Sequence, residues 1–174
     1  MKVKGIIDID LVNYKKACMT IMMPYCNFKC GKDICQNNEL AAAPIVDIAD
    51  DKIIQLYLNN PITEAICFQG LEPMDSFDEL INFIEKFKER FYYQTVDLDT
   101  NAIYTATIGN PPDIIIYTGY TKNELEEKGY LTKLKKYDKI IIKYGRYIPN
   151  QEPHRDEVLG INLASDNQYA ERIN

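Results

Sequence analysis

The chain has 174 residues, of which 46% are hydrophobic and 26% charged, and its net charge is −6. This length and composition predict one globular domain, residues 1–174, and the acidic balance argues against nucleic acid or an anionic membrane as the main partner. No apolar run approaches the roughly 20 residues of a membrane span. Acids in residues 1–12 argue against a signal peptide, and five cysteines in a chain this long argue against a disulfide scaffold. We therefore expect a cytoplasmic, reduced protein.

Apolar runs and amphipathic stretches alternate in the first half of the chain. Short apolar runs predict buried strands, and longer stretches with apolar residues at helical spacing predict helices. Ser76 and Glu79 have the spacing of a capping box at the start of the clearest helix. The predicted elements are strands at 17–23 and 64–68 and helices at 49–60 and 76–91.

The second half continues the same alternation. Its predicted elements are strands at 95–99, 113–118 and 138–145, a helix at 121–137 and a short final strand within 157–165. Gly129 is the expected break in the helix. Apolar strands that alternate with helices predict an α/β fold, with mostly parallel strands covered by helices.

Four unusual stretches follow the predicted strands. The three clustered cysteines follow the first strand, "QGLEP" (69–73) the second, "TNA" (100–102) the third and "TGY" (118–120) the fourth. Because the carboxyl ends of parallel strands meet at one edge of a sheet, we expect all four stretches on the same rim. The sequence therefore predicts an active site at that rim.

The cysteines have a C-x3-C-x4-C spacing, formed by Cys26, Cys30 and Cys35. A structural zinc ion takes four ligands, whereas three thiolates suit a [4Fe–4S] cluster in which one iron has no protein ligand. Cys18 and Cys67 fall within apolar strands and are expected to be buried packing residues. Spacing alone leaves a cluster, a zinc ion and uncoordinated cysteines all open.

The stretch "CNFKCGKDICQNNEL" (26–40) resembles the cluster loop of radical S-adenosylmethionine (SAM) enzymes, whose usual pattern is C-x3-C-x2-C. This chain has two further residues before the third cysteine. It also has Ile34 where the family usually places an aromatic residue beside the adenine of SAM. The resemblance implies a partial (β/α) barrel and a [4Fe–4S] cluster held by Cys26, Cys30 and Cys35.

Two further stretches carry the resemblance. "GLEP" (70–73) is similar to the family's "GGEP", a turn whose backbone carbonyls accept hydrogen bonds from the ammonium group of SAM, and "LDTNA" (98–102) resembles its "TNG" stretch. Ordinary strand-end turns remain an alternative for both. The resemblance implies SAM contacts by seven residues: Phe28, Ile34, Gly70, Leu71, Glu72, Thr100 and Asn101.

Three stretches in the second half, "IIIYTGYTKNEL" (114–125), "IIIKYGRYI" (140–148) and "LASDNQ" (163–168), resemble the activating proteins of anaerobic (class III) ribonucleoside-triphosphate reductases. That family splits SAM into methionine and a 5′-deoxyadenosyl radical, which removes hydrogen from a glycine of the reductase. The implied partners are this reductase and a one-electron donor such as flavodoxin or ferredoxin. Two alternatives stay open: a radical SAM enzyme acting on a small molecule or peptide, and a non-catalytic zinc- or cluster-binding module.

Overall fold

The computed structural model describes residues 1–97, Thr100 and residues 102–174. The strands are β1 (Lys2–Val3), β2 (Gly5–Asp10), β3 (Cys18–Met23), β4 (Val46–Asp47), β5 (Ala65–Gly70), β6 (Tyr92–Val96), β7 (Ile103–Thr107), β8 (Asp113–Tyr117), β9 (Ile140–Tyr144), β10 (His154–Asp156), β11 (Ile161–Leu163) and β12 (Tyr169–Arg172). The helices are α1 (Asn38–Ala42), α2 (Asp50–Leu58), α3 (Phe77–Glu89), α4 (Lys122–Glu127) and α5 (Tyr130–Leu134). None of the helices in these ranges is long and apolar enough to cross a membrane.

The central element is a six-stranded sheet with the strand order β12-β9-β8-β5-β3-β2. Strands β3, β5, β8 and β9 run parallel to one another, and β2 and β12 are antiparallel edge strands. The predicted α/β fold with mostly parallel strands is therefore confirmed. Within the part of the chain that the structure describes, the sheet does not close into a barrel.

Helices cover one face of this sheet, and the larger core lies between the helices and that face. The alternate residues of β3, β5, β8 and β9 that point to this face pack against α2, α3, α4 and α5. Burying each large apolar side chain contributes about 1.5–3 kcal/mol. Helix α3 supplies the largest share, with the buried residues Phe77, Leu80, Phe83, Ile84 and Phe87.

A second, smaller core lies on the opposite face. Cys18 and Cys67 are fully buried there, as expected for packing residues. Leu159 and Leu163, from the segment that contains the β10–β11 hairpin, cover the same face. Because both faces are covered, the inner strands read as continuous apolar runs instead of alternating patterns.

The predicted capping box of α3 is wrong. The Ser76 side chain makes no capping hydrogen bond, and its hydroxyl has no partner among the described residues. A 3₁₀ turn at Pro73–Ser76 begins earlier, and the Glu72 side chain caps it by accepting from the Met74 N–H at 3.0 Å. Pro73 suits the first position of such a turn because that position needs no N–H donor.

The prediction that residues 95–99 form a third strand of the parallel sheet is wrong for residues 95–97, and residues 98–99 lie outside the described residues. Strand β6 pairs antiparallel with β7 in a separate two-stranded sheet. Thr100 therefore lies in a hairpin connection and not at the carboxyl rim of the main sheet, while Asn101 lies outside the described residues. The position beside β5 in the main sheet belongs to β8.

In the last third of the chain, the observed elements agree more closely with those predicted from the sequence. Gly129, with φ +70°, separates α4 from α5 at the predicted break. The helix start at Thr121 has a true capping box with Glu124. The predicted final strand corresponds to β11, and the edge strand β12 was not predicted.

Candidate functional site

A cavity of about 330 Å³ opens at the carboxyl ends of β3, β5, β8 and β9. Three of the four stretches predicted to meet at one rim contribute to it: the cysteine loop, the "GLEP" turn and the "TGY" turn. Their lining residues are Cys26, Cys30, Cys35, Gln36, Asn37, Gln69, Gly70, Leu71, Glu72, Thr118 and Gly119. The convergence of these three stretches is confirmed, and Thr100 and Ala102, the described residues of the "TNA" stretch, do not line the cavity.

The cysteine loop leaves β3 at Pro24 and forms short turns. The Gly31 N–H donates to the Phe28 carbonyl at 2.9 Å, and the Cys35 N–H donates to the Lys32 carbonyl at 3.3 Å. All three cysteine side chains are half-buried. The loop therefore keeps its thiols accessible from the cavity.

Asn27 attaches the cysteine loop to two other rim elements. Its N–H donates to Asp75 Oδ2 at 2.7 Å, and its side-chain amide donates to Asp75 Oδ1 at 3.1 Å and to the Tyr120 hydroxyl at 2.7 Å. Tyr120 in turn donates to Asp75 Oδ1 at 2.7 Å. These bonds fix the loop against the turn that precedes α3 and against the "TGY" turn.

The "GLEP" turn brings backbone very close to β3. Gly70 has φ +97°, and a Cβ atom there would lie 3.1 Å from both Met22 Cα and Met23 N. The Asn37 side chain donates to the Gly70 carbonyl at 2.8 Å. Glycine is therefore required at position 70 for both its conformation and its close contact.

Glu72 connects the "GLEP" and "TGY" turns. Its side chain accepts from Thr118 Oγ1 at 2.7 Å, from the Gly119 N–H at 2.8 Å and from the Met74 N–H. Burial raises the pKa of Glu72 and the hydrogen bonds lower it. Burial has the larger effect, and the pKa is about 7. The side chain thus holds β5 and β8 at a common rim.

Two cations from the β9 end also line the cavity, Lys143 and Arg146. Arg146 forms a two-pronged ion pair with Glu124, at 2.9 and 3.0 Å, and lies over the Tyr120 ring. Lys143 is 7% exposed and donates to the Gly145 carbonyl at 2.9 Å. Burial lowers the pKa of Lys143 to about 8.

Some of the predicted site residues line the cavity and others do not. Cys26, Cys30, Cys35, Gly70, Leu71 and Glu72 line the cavity. Among the described residues, Phe28, Ile34 and Thr100 are not part of that lining; Ile34 is 40% exposed and Phe28 contributes its N–H to Cys26 Sγ at 3.2 Å.

Sequence reasoning missed several lining residues from outside the three stretches. They are Asn13, Tyr117, Lys143, Gly145, Arg146, Tyr147, Ile161, Asn162, Leu163, Ala164 and Gln168. Most of them lie within the three second-half stretches that carry the resemblance, and the lysine within the apolar run "IIIKY" was a further signal, because a charged residue is rarely buried without a partner.

The cavity presents three thiols, those of Cys26, Cys30 and Cys35. Over the described ranges, no three His, Cys, Asp or Glu side chains are grouped so that they could hold one metal ion. Burial raises the pKa of Cys26 to about 11 and also raises that of Cys30. A coordinated metal reverses this preference, because a ligating thiol is deprotonated outright.

No family model matches the chain, and no match was found among curated proteins or solved structures.

Proposed function

We propose that this protein is a radical SAM activating enzyme that binds a [4Fe–4S] cluster and SAM and generates a glycyl radical on an anaerobic ribonucleotide reductase. The observation that carries the proposal is the convergence of Cys26, Cys30 and Cys35 with the "GLEP" and "TGY" turns at one cavity. The type of reaction proposed comes from the motif resemblance. The convergence supports it, because the three stretches are separated along the chain and meet only through the fold.

The three cysteines are the ligands of the proposed cluster, and no cysteine beyond them lines the cavity among the described residues. Three ligands leave one iron open for SAM. When bound, the cluster and SAM would supply one-electron reductive cleavage of the sulfonium. The chain's own part is to orient the two groups and exclude water from them.

Backbone and side-chain groups around the "GLEP" turn support the SAM assignment. Gly70 and Leu71 form the edge of the turn that lines the cavity; the Gly70 carbonyl already accepts from the Asn37 side chain and has a second lone pair that can accept from an ammonium group. Glu72 keeps this edge in place through its bonds to Thr118 and Gly119. In this proposal Glu72 is a positioning residue.

The proposed fold is a partial (β/α) barrel of the radical SAM type. The parallel order of β3, β5, β8 and β9, with helices on one face, supports it. On the opposite face Asn162, Leu163 and Ala164 line part of the cavity. In this proposal the glycine-bearing loop of the reductase enters a cavity that this segment helps to line.

Metal analysis tests the cluster. Anaerobic reconstitution of the wild type should give about four iron and four sulfide per chain. Cys26→Ala, Cys30→Ala and Cys35→Ala should each lose most of this iron, whereas Cys18→Ala, at a buried cysteine outside the cavity, should keep it. One zinc ion per chain without iron would exclude the radical SAM proposal and favour a zinc-binding module.

Product analysis then tests the reaction. Reconstituted protein with SAM and a strong reductant should form 5′-deoxyadenosine and methionine, and the three cysteine variants of the cavity should not. A glycyl radical signal by electron paramagnetic resonance should require added reductase. Deoxyadenosine formation without any radical on the reductase would favour the small-molecule or peptide alternative.

A further inference from the structure

Lys143 is a buried cation whose charge is not neutralised by an ion pair with any described residue. It lies near the carboxyl end of β9, where it is paired with Tyr117 on one side and Ala170 on the other. Its ammonium group makes one hydrogen bond in the described part of the chain, to the Gly145 carbonyl at 2.9 Å. An ammonium group has three donors, so two remain for a ligand.

Two carboxylates, Glu72 in the cavity lining and Glu124 beside Arg146, already accept other hydrogen bonds. Glu72 influences Lys143 through its charge, but its two oxygens already accept from Thr118, Gly119 and Met74. Glu124 binds Arg146 at both oxygens. Of the two cavity cations, Arg146 is therefore neutralised and Lys143 is not. An uncompensated buried charge is costly and calls for an anionic partner.

The cavity has the size and lining of a small-molecule site. Its volume of about 330 Å³ lies at the lower end of the range for ligand pockets. Neutral polar side chains, including Asn13, Gln69 and Gln168, line the cavity together with Tyr117 and Lys143. These groups can orient a ligand without competing for the ammonium charge.

We propose that Lys143 binds the carboxylate of a small ligand held in this cavity. Two sources carry that chemistry: the methionine part of SAM and a free amino acid. The choice of SAM rests on the proposed function, whereas the carboxylate site itself rests on Lys143 and the cavity. Lys143 lies outside the cysteine loop and outside every SAM contact that the motif resemblance implies.

Equilibrium dialysis of the anaerobically reconstituted protein tests the site with three probes: SAM, decarboxylated SAM and L-methionine. Lys143→Met should weaken SAM binding about 10- to 100-fold, the effect of one charge-assisted hydrogen bond. Binding of decarboxylated SAM should not change, because it has no carboxylate. Lys143→Arg should keep most of the SAM affinity, and Lys136→Met, at an exposed position, should have no effect.

The other outcomes separate this inference from the proposed function. If Lys143→Met lowers the affinity for SAM and for decarboxylated SAM equally, or leaves the affinity for SAM unchanged, the carboxylate site is overturned. SAM binding by the wild type then remains intact. A wild type that binds L-methionine, with the same sensitivity to Lys143→Met, but not SAM keeps the carboxylate site and overturns the SAM proposal. A wild type that binds none of the three probes overturns both.

Discussion

At the scale of single residues, burial and hydrogen bonding have opposite effects on the pKa of Glu72. Glu72 is 5% exposed, which disfavours its charged form, and it accepts three hydrogen bonds, which favour that form. Burial dominates and raises the pKa to about 7, above the ordinary value of 4.5. The folded protein therefore binds a proton at Glu72 over a pH range in which the unfolded chain does not.

The first prediction follows from the sign of that difference. Between about pH 4.5 and 7 the folded state holds more protons, so the free energy of unfolding should fall as pH rises, by on the order of 3 kcal/mol from this group. Glu72→Gln should flatten the decline in urea unfolding measured from pH 5 to pH 7.5. Glu126→Gln, on the exposed face of α4, should keep the wild-type slope. If the free energy of unfolding of Glu72→Gln falls with pH as steeply as that of the wild type, another group is responsible for the pH dependence.

Gly70 gives a second prediction at the same scale, with Gly109 as its matched control. Both glycines have positive φ, at +97° and +72°, but only Gly70 has backbone atoms within 3.1 Å of an added Cβ; nothing lies within 4 Å at Gly109. Gly70→Ala should lower the free energy of unfolding by about 1–3 kcal/mol more than Gly109→Ala, since β3 must move. Equal losses in urea unfolding would show that the close contact is relieved without cost.

At the scale of elements, the cysteine loop depends on other elements for its position. Around the three cysteines it is stabilised by single turns rather than by a helix or strand. Asn27 supplies the bonds to Asp75 and Tyr120, and Asn37 supplies a bond to the Gly70 carbonyl. The geometry of the cysteines is therefore set largely from outside the loop.

The third prediction concerns this attachment. Asn27→Ala removes two side-chain hydrogen bonds, each worth about 1 kcal/mol, so hydrogen exchange in residues 26–37 should rise about 5-fold or more. Exchange mass spectrometry should show little change in β3 and β5. Asn60→Ala is the control, because the Asn60 amide bonds the Asp8 carbonyl away from the cavity. Unchanged exchange in Asn27→Ala would mean that the loop holds its own conformation.

The sequence predicted which segments are helices or strands more reliably than it predicted which strands pair. The apolar runs of β3, β5, β8 and β9 predicted buried parallel strands, because their burial on both faces leaves a clear local pattern. The hairpin of β6 and β7 was missed because alternation marks a strand without naming its partner. That error moved Thr100 to the wrong rim, while the cysteine loop and the "GLEP" turn were placed correctly.

At the scale of the whole molecule, the site depends on contacts between segments that are distant in sequence. The sequence predicted the cysteines, Gly70 and Glu72 from local motifs. It did not predict that Asn162 and Gln168, more than 80 residues further along the chain, line the same cavity. Such contributions require the path of β11 and β12, which depends on packing against β9 and the second core.

Asp113 joins three distant segments at the amino end of β8. It is 6% exposed and accepts from the Tyr14 hydroxyl at 2.9 Å, from Lys16 Nζ at 3.2 Å and from Arg172 Nη2 at 2.8 Å. Burial alone would raise the pKa of Asp113, but the bonds from Arg172 and Tyr14 lower it below its ordinary value. The charged carboxylate therefore connects the segment before β3, the central strand β8 and the last strand β12.

The final prediction uses this connection. A carboxyl whose pKa is lowered by folding stabilises the native state above its unfolded pKa of about 3.8 and loses that effect as pH falls further. Asp113→Asn should lower the free energy of unfolding by about 1–3 kcal/mol at pH 6, and its difference from the wild type should shrink as urea unfolding is repeated at pH 4 and pH 3. Asp78→Asn, at an exposed position of α3, should match the wild type throughout. A constant difference between Asp113→Asn and the wild type at all three pH values would mean that the shape of the side chain matters here, and its charge does not.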